Sequence, residues 1–226
     1  IDHCLVGEPT LPSQMGEMMK IGRRGSMNAK ITATGIQGHS AYPDRSNNPI
    51  VAMVKLLDKL VSHQLDAGTE HFDPSTLAIT SVDTGNKASN VIPAVTKATI
   101  NIRFNDSHSG SSLVSWLKDE IEKVSAEYGI KFKTDFKISG ESFITPPGEL
   151  SDLISKAVKQ ELGVTPKLST TGGTSDARFI KDMCPVTEFG LVGKTMHAVD
   201  EKVETKQINQ LKEIYTRILE AYFEKT

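Results

Sequence analysis

Between residues 25 and 138 the hydrophobic period switches from two to 3.6 and back, twice over, and this limits the architectures open to the chain. Met27, Ala29, Ile31 and Ala33 alternate with Asn28, Lys30, Thr32 and Thr34, which predicts a half-buried strand. After Asn48-Pro49, the residues Ile50, Met53, Val54, Leu57, Leu60 and Val61 follow helical spacing. A strand begins at Leu77, and a second runs through Ala98, Ile100, Ile102 and Phe104. Leu113, Trp116, Leu117, Ile121 and Val124 predict another helix. Ile130, Phe132, Thr134, Phe136 and Ile138 then alternate with polar residues as a last strand. The order βαββαβ is the split βαβ arrangement, expected to give a four-stranded sheet with both helices on one face.

The flanks read differently. Residues 1–24 open with the apolar run Ile1 to Val6 and end in Lys20-Ile21-Gly22-Arg23-Arg24. With no initiator Met, the run reads as a buried strand that has lost what preceded it, so the sequence is expected to be a fragment. In residues 139–226 an amphipathic helix (Leu150 to Leu162) precedes the polar loop 169–176 and a short helix (Ala177 to Lys181). An apolar strand (Cys184 to Phe189) and a last helix (Ile208 to Tyr222) complete the block. Helices alternating with apolar strands predict a largely parallel α/β layer. The expected domains are one α/β unit of residues 1–24 and 139–226, interrupted by an inserted ferredoxin-like βαββαβ unit at 25–138.

Composition narrows the function classes. Of 226 residues, 26 are Lys or Arg and 28 are Asp or Glu, a formal net charge of -2. A nucleic-acid or anionic-membrane surface needs a clear basic excess, so neither partner is expected. No apolar run approaches a membrane span, and no signal peptide is visible. Cys4 and Cys184 sit in apolar surroundings and read as buried thiols in a reducing compartment. His3 reads as structural; His63, His71 and His108 read as solvated.

Several segments offer chemistry. Glu8 stands at a strand end next to Pro9, either a solvated loop carboxylate or a ligand facing a crevice. His197 stands in a loop after a strand, either a surface residue or a ligand. If the two meet, they make a donor pair suited to zinc or a similar divalent ion. Gly38-His39-Ser40-Ala41-Tyr42-Pro43 is either a turn with a packed aromatic or a pair of presented polar tips. The loop Gly172-Gly173-Thr174-Ser175-Asp176, with Arg178, is a helix N-cap, a carboxylate site, or both. Arg23, Arg24 and Arg103 read as surface charges or ligand contacts, with Arg103 the best placed because it lies on the polar face of an interior strand.

These segments, together with Gly22-Arg23-Arg24-Gly25-Ser26, Ser89-Asn90-Val91-Ile92-Pro93 and Asn101-Ile102-Arg103-Phe104, resemble the dinuclear-zinc amidohydrolases. That family includes acetylornithine deacetylase, aminoacylase and carboxypeptidase-like enzymes. Gly-Arg-Arg-Gly-Ser and Gly-Gly-Thr-Ser-Asp point to its desuccinylase branch. The resemblance implies a partial zinc-peptidase-like catalytic domain with an inserted lid and dimerisation domain. It makes Glu8 a terminal ligand of one zinc and His197 a ligand of the other, with two zincs per complete site and cobalt as an alternative. His39 matches a histidine that reaches across a homodimer and stabilises an oxyanion in the other subunit's site; Asn90 matches a residue that reaches across in the same way. Lys20, Arg23, Tyr42, Arg103, Ser139, Gly173, Thr174 and Arg178 match positions holding polar and carboxylate groups of a small-molecule substrate.

The reaction so implied is hydrolysis of N-succinyl-LL-2,6-diaminopimelate to succinate and LL-2,6-diaminopimelate, in cytoplasmic lysine biosynthesis. The family's first metal histidine, bridging aspartate and general-base glutamate lie before the Gly-Glu-Pro segment and are not in this chain. The chain by itself is therefore expected to be inactive. The competing readings are an acetylornithine deacetylase-like enzyme and a non-catalytic dimerisation fragment. A ferredoxin-like module binding an amino acid is disfavoured by the two glycine-containing motifs outside the inserted block.

Overall fold

The computed structural model describes residues 1–224. In chain order the elements begin with β1 (Cys4–Val6), β2 (Met18–Lys20), β3 (Gly22–Arg23), β4 (Gly25–Thr34), β5 (Gly38–His39) and α1 (Pro49–Ser62). They continue with β6 (Thr76–Asp83), β7 (Val91–Ile92), β8 (Val95–Phe104), α2 (Gly110–Tyr128), β9 (Lys131–Gly140) and β10 (Phe143–Ile144). The last are α3 (Glu149–Leu162), β11 (Lys167–Ser169), α4 (Ala177–Ile180), β12 (Val186–Glu188) and α5 (Thr205–Phe223). Among the described residues no helix is long and apolar enough to cross a membrane.

The chain divides into two compact units, one of residues 1–24, 70–72 and 142–226, the other of residues 25–69 and 73–141. Residues 70–72 thus sit with the first unit rather than inside the inserted block. Phe72 is buried, and the Thr170 hydroxyl donates to the His71 carbonyl at 2.6 Å, which ties this short excursion down. Residues 139–141 belong to the second unit because β9 runs on to Gly140.

The second unit is the βαββαβ arrangement, with sheet order β6-β8-β4-β9 and every neighbour antiparallel. Met27, Ala29, Ile31 and Ala33 of β4 and Ala98, Ile100, Ile102 and Phe104 of β8 are buried under Leu56, Leu60, Leu117 and Val124 of α1 and α2. The Asn48 side chain caps α1 by accepting from the Ile50 amide at 3.0 Å, just where Pro49 enters at the first turn. Ser109 and Ser112 form a reciprocal capping box on α2, which ends at Gly129 with φ 61°. His108 is not solvated: its Nε2 lies 3.1 Å from Asp66. His63 stacks on Trp116, with ring centroids 5.0 Å apart.

In the first unit the sheet order is β1-β12-β2-β11. β1 pairs with β12 and β2 with β11 in parallel, while β12 meets β2 antiparallel through Glu188 and Lys20 alone. Leu11, Met19, Ile21 and Phe189 pack with Ile154 and Val158 of α3 and Ile214 and Ile218 of α5. The strand read as Cys184 to Phe189 is only three residues long. Cys184 is buried, but Cys4 is only half-buried, and both thiols are free.

Candidate functional site

The parallel pairing of β1 with β12 sets the site's geometry. Cys4 lies opposite Val186 and Val6 opposite Glu188, so both strands end on the same side of the sheet and deliver Glu8 and Glu188 there. A Cβ on Gly190 would lie 2.1 Å from the Glu8 carbonyl oxygen, so only glycine lets the two chains run this close. Tyr215 of α5 donates to the Phe189 carbonyl at 2.5 Å and holds the return loop down. That loop then carries His197, whose φ of 63° is a left-handed conformation that β-carbon-bearing residues adopt rarely. The His197 amide donates to Glu201 at 3.3 Å, and Thr195 brackets the loop through Lys202.

The result is a cleft of about 560 Å³ lined by Glu8, Lys20, Arg23, Gly173, Thr174 and His197, with Thr171, Gly172 and Met196 among its other walls. Two residues at opposite ends of the chain, a carboxylate and an imidazole, therefore line one cleft. Arg178 is not in its lining: its guanidinium lies 4.6 Å from the Phe179 ring centroid, and its Nε is buried without a hydrogen-bond partner.

The floor is a buried polar network. Arg23 is 8% exposed and Glu188 1% exposed. The Arg23 Nε donates to both Glu188 oxygens at 3.1 Å, its Nη2 donates to one of them as well, and its Nη1 donates to the Thr171 carbonyl at 3.1 Å. Ser175 adds a hydroxyl donor to Glu188. Arg23 is thus an internally neutralised wall of the cleft rather than a surface charge. Gly172, with φ 107°, is shaped to it, since a Cβ there would lie 2.3 Å from Arg23 Nη1.

Lys20 is different. It is 4% exposed, and its ammonium donates to Ser169 Oγ at 3.1 Å and Thr171 Oγ1 at 2.7 Å, both uncharged, and contacts Met18 Sδ. Burial, and next the nearby Arg23 charge, lower its pKa from 10.5 to about 8. This is a buried ammonium facing a cleft with only neutral acceptors in contact, which favours an incoming carboxylate. A carboxylate ligand is therefore expected to bind the cleft at pH 7 and to weaken as pH rises through about 8, measurable by calorimetric titration with succinate. The linked stability effect has the opposite sign. Between pH 8 and 10.5 the unfolded chain holds more protons on this residue, so unfolding free energy rises with pH there.

Among the described residues, no group of three or more His, Cys, Asp or Glu side chains is placed to hold a metal ion. Glu8 and His197 fit a zinc-type ion in donor chemistry but not in number, because such an ion takes at least three protein ligands.

The remaining sequence candidates lie in the second unit. β5 pairs with β7, setting His39 opposite Val91, and the Ser40 amide donates to the Asn90 carbonyl at 2.9 Å. His39, Tyr42 and Asn90 are all exposed there, with the His39 and Tyr42 rings 5.8 Å apart. His39 Nδ1 accepts from the Ala41 amide at 3.0 Å, so the neutral ring carries its proton on Nε2. Arg103 and Ser139 stand at the other end of the sheet, beside Ser26, about 27 Å away along β4. Ser139 is the extra residue of a β-bulge, since Ser26 pairs with Gly140 but Met27 with Ile138. The sequence reading gave Glu188 and Thr171 no site role and placed Ser175 only in the loop read as a helix N-cap or carboxylate site; a carboxylate closing an apolar strand, as at Glu8, was the available signal for Glu188.

Comparison with known proteins gives these features a context. Residues 21–129 match the family model of the peptidase dimerisation domain. Over 220 residues the chain is 65% identical to the succinyl-diaminopimelate desuccinylases of Ruegeria pomeroyi and Cereibacter sphaeroides, covering 97% of its own length and 58% of theirs. The resemblance read from the motifs is thus to succinyl-diaminopimelate desuccinylase in particular, and the chain spans less than two thirds of those relatives. Its fold is also that of a tripeptidase from Staphylococcus aureus, with a TM-score of 0.78 at 19% identity, over 92% of this chain and 54% of that one. The dipeptidase Dug1p from Saccharomyces cerevisiae gives 0.72 at 16% identity, over 99% and 60%.

Proposed function

We propose that the protein carrying this sequence hydrolyses N-succinyl-LL-2,6-diaminopimelate to succinate and LL-2,6-diaminopimelate, within lysine biosynthesis. The observation that carries the reading is the convergence of Glu8, His197 and the buried Lys20 ammonium on one cleft, in a chain 65% identical to desuccinylases. Glu8 and His197 supply part of a divalent-metal shell, whether zinc or cobalt. Such an ion, when bound, polarises a scissile carbonyl and acidifies a bound water. Lys20, Gly173 and Thr174 bind a substrate carboxylate and orient the amide; Arg23, fixed by Glu188, shapes that wall. His39 donates from Nε2 to the developing oxyanion in the other subunit's site, with Asn90 beside it. Tyr42, Arg103, Ser139 and Arg178 are further substrate contacts on this reading. The 226 residues alone, holding too few metal ligands, do not turn over. The protein works in the cytoplasm, where its two free thiols stay reduced.

The test is a comparison of N-succinyl-LL-2,6-diaminopimelate with N-acetylornithine on a polypeptide of the relatives' full length that contains this sequence. Hydrolysis of the first by at least tenfold in kcat/KM supports the reading; preference for the second overturns it.

The second unit pairs two copies of the chain on this reading. Its edge strand β6 is exposed along nearly its whole length. The adjoining α1 leaves Val51, Val54 and Val61 about half exposed, at 46%, 54% and 52%. Light scattering is expected to find a dimer, and Val54→Glu to weaken it by about tenfold or more, an effect of about 1.4 kcal/mol.

A further inference from the structure

The open face of the second unit's sheet, opposite its two helices, carries a charge pattern of which the roles above use Arg103 alone. Cross-strand register orders it in rows. Thr34 lies beside Lys131; Thr32 lies between Lys97 and Lys133; Lys30 lies between Thr99 and Asp135. Asn28 then lies between Asn101 and Lys137, and Ser26 between Arg103 and Gly140. Asp83 faces Lys97 from β6. The face therefore holds six cations against two carboxylates, in a chain whose net charge is -2. The five lysines are exposed, and among the described residues none takes part in an ion pair.

Shape reinforces charge. Toward its Ser26 end the face carries short polar side chains, with the Asn101 amide donating to Asn28 at 2.9 Å and Arg103 Nε donating to Asn101 at 3.2 Å. Lys97 and Lys133 stand on either side of Thr32, two strand spacings apart, about 10 Å. Lysines on both flanks of a small threonine make a shallow trough with a positive group on each rim and the Thr32 hydroxyl between them, bordered by the Thr99, Lys30 and Asp135 row. Like charges held this close repel one another, and a multivalent anion lying between them relieves that repulsion. A short dicarboxylate or tricarboxylate matches the span; a monocarboxylate reaches one rim only.

We propose that this trough is a docking surface for small polycarboxylate anions, with Lys97 and Lys133 as its two rims. That the physiological anion is the substrate of the cleft rests on the reading given above; the docking itself does not. Nucleic acid is the rival occupant, disfavoured because the chain as a whole has no basic excess, its net charge being -2.

The experiment is an amide chemical-shift titration of the isotope-labelled 226-residue chain with citrate, against acetate at matched ionic strength, and with a single-stranded RNA oligonucleotide as a third arm. Expected is a saturable response at Thr32, Lys97 and Lys133 to citrate alone, at least fivefold weaker in the Lys97→Ser, Lys133→Ser double variant. Both positions are solvent-exposed, and the unchanged remainder of the spectrum reports that the fold is intact. Equal responses to citrate and acetate, or a citrate response that survives the double variant, would overturn the proposal, as would RNA displacing citrate at lower concentration. No metal and no turnover enter this measurement, so it succeeds or fails separately from the desuccinylase assay.

Discussion

Replacing Glu188 with alanine is expected to lower the unfolding free energy by about 3–5 kcal/mol, read from urea denaturation. The reason lies in what is left behind. Arg23 stays buried at 8% exposure, and of its guanidinium contacts only the Thr171 carbonyl remains. An unpaired buried charge costs far more than the pair itself contributes. The Arg23→Met, Glu188→Leu double variant, which removes both charges, is accordingly expected to lose less than Glu188→Ala alone. If the single and double variants unfold together with wild type, the network on the cleft floor is not a stability element.

Gly190→Ala is expected to act on stability and on the site at once. The added carbon would lie 2.1 Å from the Glu8 carbonyl oxygen, 2.7 Å from its carbonyl carbon and 2.8 Å from the Gly7 oxygen. All three are backbone atoms, so no side chain can rotate away and the β1 terminus itself must shift. The overpacking is expected to cost about 1–3 kcal/mol. Displacing Glu8 by on the order of 1 Å is expected to lower kcat about 100-fold in a polypeptide of the relatives' full length. A variant with wild-type turnover would show that the close approach of the two strand ends does not position the carboxylate.

How much of this is legible in the sequence depends on element length. β4 and β8 are ten residues each, long enough for alternation to assign both face and partner layer. The three-residue strands β2 and β11 carry no such signal: Met18-Met19-Lys20 shows no alternation, and Lys167–Ser169 reads as a loop edge. They form through pairing with each other, a long-range event that local pattern does not encode. The cleft repeats the lesson. Glu8 and His197 stand out in their motifs as candidate ligands, yet their convergence depends on β1 lying parallel to β12 and on the bare backbone of Gly190. Arg23 is visible as a charge, but its neutralisation is not, because Glu188 closes an apolar strand 165 residues away. His108 is misread as solvated for the same reason, its partner Asp66 being 42 residues upstream.

The measurement that bears most directly on the proposed metal site is succinate release from N-succinyl-LL-2,6-diaminopimelate by a polypeptide of the relatives' full length containing this sequence. Wild type would be compared with Glu8→Ala and His197→Ala, with bound metal assayed alongside. Both variants are predicted to lose more than about 100-fold in turnover, beyond the usual effect of altering residues that merely support metal ligands, and to retain less metal while remaining folded. Turnover and metal content at wild-type levels in either variant would contradict the assignment of these two side chains to one metal shell.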